Sequence, residues 1–141
     1  MKALIVEDDY TSRTILRKLL MAYGDVEVAA DGAEAISLFK SAREKKRPFD
    51  LICLDIMLPE KDGISVLKEI RSLEAASADD DGEDDQEEED SIKPVRIIMT
   101  TALSDRTHVA EAIKHCDGYL VKPYRKGRLL QYLREFGLTA S

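Results

Sequence analysis

The stretch PFDLICLDIMLPEKDG, Pro48 to Gly63, sets an aspartate among apolar residues. Leu51 to Leu54 reads as a buried strand; Asp55 follows it, and then come Ile56, Met57, Leu58 and Pro59. An unpaired ionised carboxylate in such surroundings is costly, so Asp55 belongs at a strand end, beside a counter-charge, or on a bound cation. What the neighbouring strands end in decides among these.

Outward from this stretch, short apolar runs alternate with amphipathic ones. Ala3–Val6, Val26–Ala29, Val95–Met99 and Tyr119–Val121 read as further strands. The periodicity predicts helices over Thr11–Tyr23 (stripe Ile15, Leu16, Leu19, Leu20), from a cap at Asp31 through Ser41, over Ile64–Leu73, over Asp105–Lys114 and over Lys126–Phe136. Five strand–helix units in strict alternation predict an α/β fold, a doubly wound five-stranded parallel sheet. The continuous apolar strands agree, because a parallel sheet is covered on both faces.

Ligands of open parallel sheets bind outside the carboxyl ends of the strands. The first strand ends in Glu7-Asp8-Asp9, the third in Asp55, the fourth in Thr100-Thr101 and the fifth in Lys122. Asp55 is therefore expected at the mouth of a site rich in acids. Clustered carboxylates repel one another and are relieved by a divalent cation, and oxygen-only donors favour Mg²⁺. A lysine opposite such a metal suits a phosphoryl oxygen, a threonine hydroxyl donates to another, and an aspartate among them is a nucleophile that gives an aspartyl phosphate.

Together LIVEDD, LICLDIMLPEKDG, IIMTTA and GYLVKPY resemble the receiver domain of two-component response regulators, over nearly the whole chain except an acidic run. The resemblance implies a stand-alone, chemotaxis-regulator-like receiver of flavodoxin-like (βα)5 fold with strand order 2-1-3-4-5. It would span residues 1–138, with an acidic loop insertion at about 77–92 and no output domain. Matched by position, Asp55 is the phosphoacceptor, Lys122 the phosphate-binding lysine, Thr101 the switch hydroxyl and Tyr119 the switch aromatic. Asp8, Asp55 and the Met57 backbone carbonyl would hold Mg²⁺ (Mn²⁺ as a substitute), with Glu7 acting through water. Asp9 would begin the following loop, and the Lys122-Pro123 bond would be cis. Partners implied are a sensor histidine kinase or a histidine phosphotransfer protein, which supplies the phosphoryl group. A downstream protein target would be read on the face of the fourth helix, fifth strand and fifth helix. That face carries Arg106, His108, Lys114, Tyr124, Arg125, Lys126 and Arg128.

Neither direct nucleic-acid binding nor a separate turnover substrate is expected. The alternative is a phosphorylation-independent interaction module with a receiver fold. An aspartate-based phosphohydrolase would need a second acid where Met57 stands.

Composition bounds these expectations. With 44% hydrophobic and 35% charged residues, the 141-residue chain suits one globular domain. No apolar run approaches the ~20 residues of a bilayer span, and MKALIVEDD meets acids too early for a signal peptide. Cys53 and Cys116, far apart and in no CxxC pattern, fit a reducing compartment; with no span or leader this predicts a cytoplasmic protein. The net charge of −7 is local. Of 28 acids, ten lie between Asp79 and Asp90; the other 18 face 21 lysines and arginines, so the rest of the chain carries +3. An EF-hand register through Gly82 puts Ser77 at the first ligand position and Asp84 at an apolar one, so no calcium loop is predicted there.

Overall fold

The five apolar runs form one parallel sheet in the order β2-β1-β3-β4-β5, as expected. The computed structural model describes residues 1–58, 61–80, 94–102, 110, 112 and 114–139, without the side chains of 77–80. The strands are β1 (Lys2–Val6), β2 (Asp25–Ala29), β3 (Leu51–Asp55), β4 (Arg96–Thr101) and β5 (Gly118–Val121). The helices are α1 (Tyr10–Met21), α2 (Gly32–Glu44), α3 (Gly63–Asp80) and a C-terminal α4 (Lys126–Glu135). The helix expected over Asp105–Lys114 lies largely outside the described residues, as does most of the acidic run.

Successive strand residues point to opposite faces, so each strand feeds two cores. Leu4, Val6, Ile52, Leu54, Ile97 and Met99 pack under α2 and α3, against Ile36, Phe39, Leu67 and Ile70. Ala3, Ile5, Leu51, Cys53 and Ile98 pack under α1 and α4, against Leu16, Leu20, Leu129 and Leu133. Each fully buried Leu or Ile contributes roughly 1.5–3 kcal/mol, which is what holds the sheet between its two helical layers. Cys53 is one of these core side chains, and both cysteines are free. No helix among the described residues is long and apolar enough to cross a membrane.

Two expectations needed correction. Ile15 lies on the outer edge of the α1 stripe and is 41% exposed, while Leu16 and Leu20 are buried. Helix α3 runs to Asp80, beyond the Leu73 where its apolar stripe ends, so residues 77–80 of the expected loop have helical backbone. Alanine and glutamate in EAAS favour helix without any buried face, and periodicity does not register them.

Candidate functional site

Register brings the strand ends to one edge. Val6 lies beside Ala29 and Leu54, Asp55 beside Thr100, and Thr101 beside Val121. Beyond the strands, the Glu7 N–H donates to the Ala29 carbonyl at 3.0 Å, and the Lys122 N–H to the Thr101 carbonyl at 2.8 Å. Glu7, Asp55 and Lys122 thereby enter the same small volume from three strands. The Lys122-Pro123 bond is cis, as expected.

Three nearby aspartates are accounted for by helix capping. Asp9 accepts from the Ser12 N–H, Asp31 from the Glu34 N–H and Asp62 from the Ser65 N–H, each at 2.8 Å. That leaves Asp8, which is exposed, to join Glu7 and Asp55. One carboxylate oxygen from each of the three falls within 4.8 Å of the others. The doubled aspartate after Glu7 thus splits, with Asp8 among the three acids and Asp9, expected to begin a loop, capping the helix that starts at Tyr10.

Asp55 is the last residue of β3 and only 3% exposed. Its Oδ1 accepts from the Met57 N–H at 3.0 Å and its Oδ2 from Lys122 Nζ at 3.1 Å. Burial first, and then the Glu7 carboxylate beside it, push the Asp55 carboxyl up to about 7, outweighing the Met57 N–H and Lys122. Burial works against the Lys122 ammonium too, but Glu7 and Asp55 outweigh it and hold its pKa above the ordinary lysine value. Lys122 Nζ spans the two acids, 3.0 Å from Glu7 Oε1. Lys122 and the three carboxylates together carry a formal charge of −2, and the three acids offer only oxygen donors. Such a set fits Mg²⁺ in charge and donor type.

The backbone approaches closely here. A Cβ on Gly63, the first residue of α3, would lie 2.0 Å from the Asp55 carbonyl oxygen, and the Gly63 N–H donates to the Ile56 carbonyl at 2.8 Å. The glycine lets α3 start directly against the strand end that carries Asp55.

The two residues expected to act as a switch are placed differently. Thr101 is buried at the end of β4, its hydroxyl donating to the Ala102 carbonyl at 3.0 Å rather than to Asp55. Tyr119 is 37% exposed. Met57 meets Asp55 through its N–H while its side chain is exposed. Of the expected partner-facing residues, Lys114, Arg125, Lys126 and Arg128 are exposed, whereas Arg106 and His108 lie outside the described residues.

Tyr124 is the correction. It was expected on the outer face, but its ring is half-buried against the α1/α4 core and its hydroxyl donates to Glu7 Oε1 at 3.1 Å. Burial pushes its phenol up, so it remains a donor. Strand-end residues alone do not reveal it; a hydroxyl-bearing aromatic two residues after Lys122 was the available signal.

Residues 3–79 match the response regulator receiver domain family, and the chain belongs to it. It is 36% identical over 94% of its length to the probable transcriptional regulator ycf27 of Porphyridium aerugineum, and spans 46% of that longer protein. It is 29% identical to the chemotaxis protein CheY of Bacillus subtilis, over 95% of each chain. Among solved structures, it resembles a chain of the Saccharomyces cerevisiae co-crystal of the histidine phosphotransfer signalling protein Ypd1 with the receiver domain of its downstream response regulator Ssk1. The TM-score there is 0.77 at 27% identity, covering 97% of this chain and 88% of the other.

Proposed function

We propose that this receiver domain is a phosphorylation-controlled signalling module in which Asp55 accepts a phosphoryl group from a histidine kinase or histidine phosphotransfer protein. The observation that carries it is the buried Asp55 carboxylate at a strand end, bound by Lys122 and set among the acids Glu7 and Asp8. An Asp55 oxygen forms the new P–O bond as the donor's P–N bond breaks, and the bonding electron pair leaves on the imidazole nitrogen. Asp8, Asp55, the Met57 carbonyl and, through water, Glu7 would hold Mg²⁺, or Mn²⁺ in its place. When bound, the cation neutralises charge on the transferring group. Lys122 supplies the neutralising charge from the opposite side.

The Thr101 hydroxyl then exchanges the Ala102 carbonyl for a phosphoryl oxygen, and Tyr119 turns from its exposed position into the space this vacates. The result is a population shift on the face of β5 and its flanking helices, read by a downstream protein. The module has no turnover substrate of its own and touches no nucleic acid directly. The co-crystal of a related fold with Ypd1 supports the phosphotransfer partner.

Incubation with Mg²⁺ and phosphoramidate, a P–N donor, tests this by intact mass. One added phosphoryl group is expected in the wild type, with none in Asp55→Asn and none without the metal. An unmodified wild type, or a modified Asn variant, would contradict the assignment.

A further inference from the structure

Glu7 is the most deeply enclosed charge of the site, 1% exposed, and its carboxylate is fully engaged. Oε1 accepts from Lys122 Nζ at 3.0 Å and from the Tyr124 hydroxyl at 3.1 Å; Oε2 accepts from the Asp9 N–H at 3.2 Å. Among the described residues, no buried side-chain nitrogen or oxygen lacks a partner. The two donors on Oε1 differ in freedom. Lys122 has a flexible stem and a second attachment on Asp55 Oδ2, the carboxylate that becomes phosphorylated. Tyr124 is a rigid ring packed against the α1/α4 core, with the Thr100 side chain beside its hydroxyl.

We infer that Tyr124 is a positioning residue: its hydroxyl holds Glu7 in place when Lys122 is drawn away. The inference rests on the phosphoryl-acceptor assignment above and deepens it. A phosphoryl group on Asp55, or a cation among the acids, gives Lys122 a reason to leave Glu7. A carboxylate only 1% exposed depends on protein donors, and a buried acceptor that loses one is expensive. Tyr124 keeps Oε1 satisfied throughout, so Lys122 is released at lower cost and Glu7 stays aligned with Asp8. The apolar packing that fixes the ring also fixes where the hydroxyl points. Without that hydroxyl, Lys122 is the sole donor on Oε1 among the described residues and is held back from the phosphoryl group.

The test is Tyr124→Phe, which removes one oxygen and keeps the ring. Calorimetric titration with Mg²⁺ alone gives the metal dissociation constant, and intact mass with phosphoramidate at saturating Mg²⁺ gives the uptake rate. The dissociation constant is expected to rise and the rate to fall, each about tenfold, the worth of one hydrogen bond to a charged group. The melting temperature should fall by no more than about 6 °C, because one hydrogen bond is lost while the packing of the ring is unchanged. In a Glu7→Ala background the same substitution should have no further effect on the metal constant. A Phe variant within twofold of the wild type in both readouts overturns the inference, as does a loss that persists undiminished in the Glu7→Ala background. A wild type that binds no Mg²⁺ overturns the phosphoryl-acceptor assignment and this inference with it.

Discussion

Opposite edges of the sheet each carry a charged cluster, and the two differ in balance. At the amino edge, Arg71 on α3 spends every nitrogen. Nε donates to the His115 carbonyl at 2.9 Å, one terminal nitrogen to Glu74 at 2.8 Å and the Val95 carbonyl at 2.9 Å, and the other to Asp117 at 3.0 Å. The two acids in turn accept backbone N–H groups, Glu74 from Val95 at 2.7 Å and Asp117 from Ile97 at 2.8 Å. Arg96 adds a second cation, 3.3 Å from Asp117. Among the described residues two cations meet two anions, and the cluster ties α3 to the entry of β4 and β5. At the carboxyl edge, among the described residues, Lys122 bridges Glu7 and Asp55, and Asp8 makes the group one of three carboxylates. A closed network with matched charge holds a fold together; a cluster left with excess charge is organised for something that arrives.

The largest effect on folding should therefore come from the balanced edge. Arg71→Ala leaves two part-buried acids without their main partner and is expected to lower the unfolding free energy by about 2–4 kcal/mol in urea titrations. A loss under about 0.5 kcal/mol, the size of an ordinary surface change, would erase the contrast between the two edges.

The unbalanced edge should respond in the opposite direction. In metal-free buffer at pH 8, Asp55→Asn is expected to stabilise the protein by about 1–2 kcal/mol, read as a higher melting temperature. The sign follows from Asp55, whose carboxyl rises from its usual 3.8 to about 7 in the fold. The folded chain thus holds that proton more tightly than the unfolded chain. The stability this lends is fully present below about 4 and is lost as pH rises through 7. The advantage of Asp55→Asn should accordingly grow from pH 5 to pH 8. An advantage that shrinks over that range would mean that Lys122, not Glu7 and burial, dominates the carboxylate.

The two edges were also unequally legible. Strand ends carry the acid site openly, because apolar runs stop abruptly on Glu7, Asp55, Thr101 and Lys122 and a parallel sheet gathers such ends. The cap at Asp31 was legible from its place before a helix, whereas Asp9 was expected only to begin a loop. The Arg71–Asp117 pair was not, since residues 46 apart in sequence leave no periodic trace of their contact. Nor was Tyr124: its ring falls between strand and helix, where neither period applies, and only the packed fold shows that its hydroxyl turns toward Glu7. The role of Gly63, letting α3 abut the Asp55 carbonyl, was not legible either, because it is a matter of three-dimensional clearance.

The most direct test of the excess charge at the carboxyl edge is the unfolding free energy measured against Mg²⁺ concentration for the wild type, Asp8→Asn and Asp55→Asn. A cation that binds only the folded acid cluster adds RT ln(1 + [Mg²⁺]/Kd), so wild-type stability should climb with the logarithm of Mg²⁺ above Kd. Both variants should climb less over the same range. A wild type indifferent to Mg²⁺, or variants that follow it point for point, would contradict the claim that Glu7, Asp8 and Asp55 are gathered to hold a cation.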